Sequence, residues 1–257
     1  MSEIAIPPSF GPEPPLIEAE ELPSWILLED ERLLVLNKPG WVVCHPSKNG
    51  PWSSLVGAAR EYLGGGTVHL VSRLDRETSG LIVLAKDRGM ARLLQMALQE
   101  RAVEKRYLAV VEGVWEKRSE LSKAIEDDPD TPVVVKQRVA VGGGGTKAQT
   151  SFLPREAGPK HTLVEVIPHT GRKHQIRVHA QFAGHPIVGD KLYGPDPLLY
   201  LRFIESGWTP EHGARLAHFR QALHAWKLTF RTREGEWSFE APEPTDFTQL
   251  WARLRAQ

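Results

Sequence analysis

Ser72-Arg73-Leu74-Asp75-Arg76-Glu77-Thr78-Ser79-Gly80 runs straight into Leu81-Ile82-Val83-Leu84-Ala85. The second part is an unbroken apolar run, which predicts a central strand buried on both faces. The polar first part then reads as a turn that feeds the end of a sheet. Downstream, Asp87 is placed to cap a helix whose apolar residues Met90, Leu93, Leu94, Ala97 and Leu98 form one stripe. Tyr107 to Val111 is another nearly all-apolar strand. Upstream, Ile26-Leu27-Leu28 and Leu33 to Leu36 flank a charged turn and predict two short strands. Ser53 to Leu63 predicts a short helix, capped by Ser53 and stopped by Gly64-Gly65-Gly66.

Further along, Pro132 to Val141, Lys147 to Leu153 and Thr162 to Ile167 have β character, with Gly142 to Gly145 as a hairpin loop between the first two. Residues 173–183 predict a helix stopped by Gly184 and Pro186. Leu223 to Phe230 and Trp237 to Glu240 predict a last hairpin. Strands joined by hairpins outnumber helices, so the class is α+β with a mixed, mostly antiparallel sheet. Residues 1–24, with six prolines and many glutamates, predict a disordered acidic tail. Residues 25–257 show no composition break and predict one domain.

A single cysteine, Cys44, excludes an internal disulfide framework and an all-cysteine zinc site within one chain. No apolar run approaches the ~20 residues that span a bilayer, and no secretory leader follows Met1, so a cytoplasmic protein is expected. The net charge of zero hides an asymmetry. Residues 1–31 carry eight acids and no base, so the other 226 residues hold all 32 bases and 24 acids, a net +8. Such a body suits a polyanionic partner, although a mixed-charge surface would look the same.

Three stretches offer chemistry. Asp75 stands between Arg73 and Arg76 just before the buried strand. A carboxylate there is partly desolvated, and a neighbouring guanidinium would keep it ionised, which suits a nucleophile or base. The same residues would equally make a capped surface turn. Tyr107, at the start of a buried strand, reads as core or as a ring on which a base stacks. The third stretch, Pro168 to His179, is dense in bases and histidines. His169, His174 and His179 are five apart, about 140° past a full turn on a helix, so they diverge, and metal ligation is not expected. Arginines after the Thr170-Gly171 turn, Arg172 among them, suit phosphate contacts better.

Taken together and in order, these stretches resemble the RluA-type family of RNA pseudouridine synthases. The resemblance rests on Arg73-Leu74-Asp75 with Thr78-Ser79-Gly80-Leu81, on Lys105-Arg106-Tyr107-Leu108-Ala109, and on Thr170-Gly171-Arg172 with His174-Gln175-Ile176-Arg177-Val178-His179. Gly184-His185-Pro186-Ile187-Val188-Gly189-Asp190, Asn37-Lys38-Pro39-Gly40, His45-Pro46 and Leu223-His224-Ala225 support it. It runs from about Trp25 to Pro244.

The resemblance implies isomerisation of uridine to pseudouridine in RNA, without metal or cofactor, on a long mixed sheet with flanking helices and a central cleft. It implies Asp75 as the essential aspartate, Tyr107 as the active-site tyrosine and Arg177 as the active-site basic residue, able to offer Asp75 a bidentate partner. Arg73 is implied as an RNA contact, and Arg172 is read as a second one from its place after the turn. Whether Asp75 attacks the sugar or removes a proton from it is left open. Two departures stand out: Ser72 replaces the family's usual histidine, and only about 24 residues precede the domain where many relatives carry an S4 module. The expected partner is therefore a stem-loop of tRNA or rRNA bound by a monomer, with no DNA or membrane. A catalytically idle RNA-binding protein on the same fold and a histidine metallohydrolase are the competing readings.

Overall fold

Every residue of Ser79–Ala85 is buried, as the unbroken apolar run requires. Around it the chain, seen in a computed structural model that describes residues 6, 10–45 and 50–257, forms twelve strands, six α-helices and two short 3-10 helices among those residues. The first are β1 (Ile26–Glu29), β2 (Leu33–Lys38), α1 (Leu55–Tyr62), β3 (His69–Leu70), β4 (Ser79–Ala85) and α2 (Arg88–Gln99). Then come β5 (Val103–Glu112), β6 (Ser119–Ser122), β7 (Ile125–Asp127), β8 (Gln137–Val139), β9 (Gln149–Ala157) and β10 (His161–Pro168). The chain ends with α3 (Gln175–Phe182), α4 (Leu198–Ser206), α5 (Pro210–Arg215), β11 (Leu223–Thr232), β12 (Gly235–Glu240) and α6 (Thr245–Leu254). The class is α+β with mixed strand pairing.

The described residues fall into two compact units. One comprises Glu13–Lys105 and His224–Pro244; the other holds Arg106–Leu223 and Thr245–Gln257 with the described residues up to Pro12. Composition hides the division because two of its boundaries fall inside the strands β5 and β11 rather than in linkers.

In the unit built on β4, strands follow the order β1-β2-β4-β11, with β3 on β4 and β12 on β11. All these pairings are antiparallel except β4 with β11, where Ser79 faces His224 and Gly80 faces Ala225. Gly80 has φ +111°, and a Cβ there would lie 2.3 Å from the Ala225 carbonyl oxygen. Only glycine permits that approach. Alternation puts Leu34 and Leu36 of β2 with Ile82 and Leu84 of β4 into one core cluster, packed with Leu55, Val56, Ala58 and Ala59 of α1. The α1 cap is Ser54, whose side chain accepts from the Gly57 N–H, and not the expected Ser53. Asp87 caps α2 as predicted, accepting from Met90.

In the other unit the order is β5-β10-β9-β6, all antiparallel. β7 and β8 form a separate two-stranded sheet. Gly142 to Gly145 therefore does not close a hairpin: β8 pairs with β7, and β9 pairs with β10 and β6. The β-type run from Pro132 shrinks to Gln137–Val139, and Val134 is left 89% exposed, because no neighbouring strand covers it. Arg220, wholly buried, ties α6 in place by a two-pronged contact with Asp246 (2.6 and 3.0 Å).

The expected tail also needs correction. Its residues 1–5 and 7–9 lie outside the described residues, but Phe10, Ile17 and Leu22 are buried. Phe10 stacks on Phe203 and meets Phe219 edge-on. Ile17 and Leu22 belong to the core cluster around Leu34 and Leu84. Sparse apolar side chains suffice here because prolines lower the entropy that ordering costs.

Candidate active site

The Asp75 turn is clamped through its backbone. Wholly buried Lys38 donates from Nζ to the carbonyls of Pro39 (2.8 Å), Val42 (2.9 Å) and Arg76 (3.0 Å). Three acceptors satisfy the ammonium that burial would otherwise make very costly. Arg76 donates to the carbonyls of Trp41 (3.2 Å) and Glu13 (2.7 Å). The Thr78 N–H donates to the Asp75 carbonyl (3.1 Å), and the Cys44 thiol lies 3.5 Å from the Leu74 carbonyl oxygen. Asp75 itself is half-buried, and Arg73 is exposed. At the end of the turn Ser79 Oγ lies 3.0 Å from His224 Nδ1, while His224 Nε2 faces the Ala241 carbonyl at 3.3 Å. The Asn37-Lys38-Pro39-Gly40 and Leu223-His224-Ala225 stretches are thus braces for the segment that carries Asp75. Of His45-Pro46, the proline lies outside the described residues.

In the other unit Tyr107 is half-buried on β5, opposite Val166 of β10. Beside it, Arg106 and Arg155 pair with buried Glu165 at 2.8 and 2.5 Å. Arg177 sits buried in α3. Its Nε donates to Asp190 Oδ2 (2.7 Å) and its Nη2 to Asp190 Oδ1 (2.9 Å). The guanidinium lies 4.8 Å over the Tyr193 ring. Oδ1 of Asp190 also accepts the N–H groups of Leu192 (2.9 Å) and Tyr193 (3.0 Å). Burial pushes the Asp190 carboxyl up, but the Arg177 charge and these hydrogen bonds outweigh it and hold the group below its ordinary value. Arg177 thus sets a bidentate fork on Asp190, a fully buried carboxylate that has to be neutralised.

The turn before α3 is built by Gln175, which accepts from Thr170 Oγ1 (2.7 Å) and the Arg172 N–H (3.0 Å) and donates to Gln149 O and Thr150 Oγ1 (2.9 Å each). His174 takes a left-handed conformation there (φ 55°). Arg172 is exposed, with Nε on the Lys147 carbonyl (3.0 Å). The three histidines have separate partners: His169 meets Ser151, His174 meets the Tyr193 hydroxyl, and His179 meets Thr150 and the Lys123 carbonyl. Burial pushes His179 down, toward the neutral form.

The family described as RNA pseudouridylate synthase matches residues 32–182, more than half of the chain. The chain belongs to this RNA pseudouridylate synthase family. It is 35% identical over 237 residues to the ribosomal large subunit pseudouridine synthase C of Vibrio vulnificus (strain CMCP6), covering 92% of this chain and 70% of that one. An uncharacterized RNA pseudouridine synthase of Bacillus subtilis (strain 168) is 38% identical over 240 residues, 90% of this chain and 77% of the relative. Among solved structures, human RNA pseudouridylate synthase domain containing 4 matches with a TM-score of 0.72 and 28% identity, covering 92% of this chain and 95% of that one.

As a pseudouridine synthase, the protein is an isomerase that acts on uridine in RNA. The family match takes in Asp75, Tyr107, Arg172 and Arg177 and stops before Asp190, Tyr193 and His224. Tyr107, Arg172 and Arg177 lie in one unit, and Arg73 and Asp75 in the other. No helix among the described residues is long and apolar enough to cross a membrane. Sequence reasoning gave no role to Lys38, Gln175, Asp190, Tyr193 or His224. Each stands in or beside a quoted motif, but only its burial and partners reveal what it does.

Proposed function

We propose that this pseudouridine synthase modifies a uridine in a stem-loop of ribosomal RNA, with Asp75 as its catalytic carboxylate. The observation that carries the reading is the clamped, half-buried Asp75 turn: a solvated surface turn has no need of a buried lysine, an arginine and a thiol on its backbone. Several similar proteins are large-subunit ribosomal synthases, which favours rRNA over tRNA. Isomerisation breaks the bond from the sugar to the base nitrogen and forms one to C5, which gives up its proton while the nitrogen gains one. Atoms balance without a cofactor.

The target base has to leave its stack, at about a few kcal/mol and less from a loop than from a duplex. Exposed Arg73 fills the vacated stack, and Arg172 contacts phosphate. Tyr107 stacks on the extruded base. Arg177 serves as the basic residue of the reaction. The enzyme acts as a monomer in the cytoplasm, where its RNA is. Mapping pseudouridine in total RNA from cells with and without the gene tests the target. An rRNA loop uridine that loses its modification supports the reading, whereas loss confined to tRNA overturns the choice of rRNA.

A further inference from the structure

Arg177 does not face its surroundings as a bare positive charge. A guanidinium has five N–H groups, and two of them are on Asp190 at 2.7 and 2.9 Å. Asp190 is in turn fixed by two backbone N–H groups of its own turn. The ring of Tyr193 lies under the guanidinium, and its hydroxyl is fixed from two sides, by the Gln137 N–H (2.9 Å) and His174 Nδ1 (2.8 Å). Asp190 is 0% and Tyr193 0% exposed, so neither takes part in solvent or surface contacts. All of these groups belong to one unit of the chain. A buried ion pair is weak as a source of stability, because desolvation offsets most of its attraction. What it supplies well is direction, since a carboxylate holds a guanidinium plane by two parallel hydrogen bonds.

We propose that Asp190 is a positioning residue that aims Arg177, with Tyr193 as the floor on which the guanidinium rests. This rests on the reading of Arg177 as part of the reacting set. Arg177 then works by oriented N–H donors whose charge is already compensated, so a lysine cannot replace it.

Asp190→Asn probes the aim. Its amide oxygen can keep the Leu192 and Tyr193 N–H groups, but its NH2 would face Nε–H of Arg177, donor against donor. The single-turnover rate of pseudouridine formation on the mapped RNA should fall by about 100-fold, the cost of a misplaced group, while the RNA dissociation constant stays within about three-fold. In an Arg177→Met background, Asp190→Asn should cost no further rate. An unchanged rate in Asp190→Asn, or an equal loss in both backgrounds, overturns the proposal. Full turnover in Arg177→Met alone refutes instead the underlying reading of Arg177. Should Asp190→Asn fail to fold, Arg177→Lys decides: a loss as large as that of Arg177→Met supports positioning by the fork, and retention of a third or more of the rate overturns it.

Discussion

Arg177→Met would strand the Asp190 carboxylate at 0% exposure, with two backbone N–H groups and no cation. Removing one partner of a buried pair costs about 3–5 kcal/mol, a large share of the roughly 5–15 kcal/mol that holds a typical protein folded. At a urea slope of about 3 kcal/mol per M, the unfolding midpoint should drop by roughly 1–2 M. The loss also has a pH signature. With Arg177 present, the Asp190 pKa lies below its ordinary value, so its contribution is complete above the usual carboxylate range near pH 4 and fades as pH falls through the lower folded value. Without Arg177, burial prevails and raises the folded pKa. Folding then takes up a proton, and the penalty is greatest near pH 8 and shrinks toward pH 5. Asp190→Asn added to Arg177→Met should recover part of the stability, because it removes the stranded charge. Urea titrations of the three proteins at pH 5 and pH 8 check this. A deficit below about 1 kcal/mol that does not vary with pH would refute the account of the pair.

Lys38→Met should strip the Pro39, Val42 and Arg76 carbonyls of their donor, at about 1–3 kcal/mol for each one left unsatisfied, and slow turnover through the loosened Asp75 turn. Denaturation and single-turnover assays read both effects. Gly80→Ala should fail to fold or lose most of its stability, because the new methyl group meets the Ala225 carbonyl oxygen at 2.3 Å; soluble yield and circular dichroism report it. Deleting residues 1–22 should uncover the surfaces that Phe10, Ile17 and Leu22 fill, at about 1.5–3 kcal/mol per side chain, and remove the Glu13 carbonyl from Arg76. A lower melting midpoint is expected, and an unchanged one would return these residues to the status of a tail.

Much of the frame was legible because periodicity and caps act locally. The run Leu81 to Ala85 and the stripe of α2 behind Asp87 specify themselves. The short polar strands β6 and β7 do not, since Ser119–Ser122 and Ile125–Asp127 are strands only by their partners. The glycines 142–145 allow a hairpin but cannot choose one, and the pairing of β9 with β10 decides otherwise. Nothing in the sequence patterning picked out α4, α5 or α6. Buried Phe10 and Ile17 were hidden by the prolines and glutamates around them, as their pockets are made by distant residues. At the site, residue types in order pointed to Asp75, Tyr107 and Arg177. That Asp190 pairs with Arg177 was not legible, because it lies thirteen positions further on and only burial makes that carboxylate need a cation.

The central claim is that the Asp75 carboxylate performs the isomerisation. Asp75→Asn keeps the size of the side chain and the braced turn and removes the charge. Single-turnover conversion of the mapped RNA, measured beside its binding, tests it most directly. The account predicts RNA binding within a few-fold of the unaltered protein and no pseudouridine formed. Conversion at the unaltered rate would contradict it.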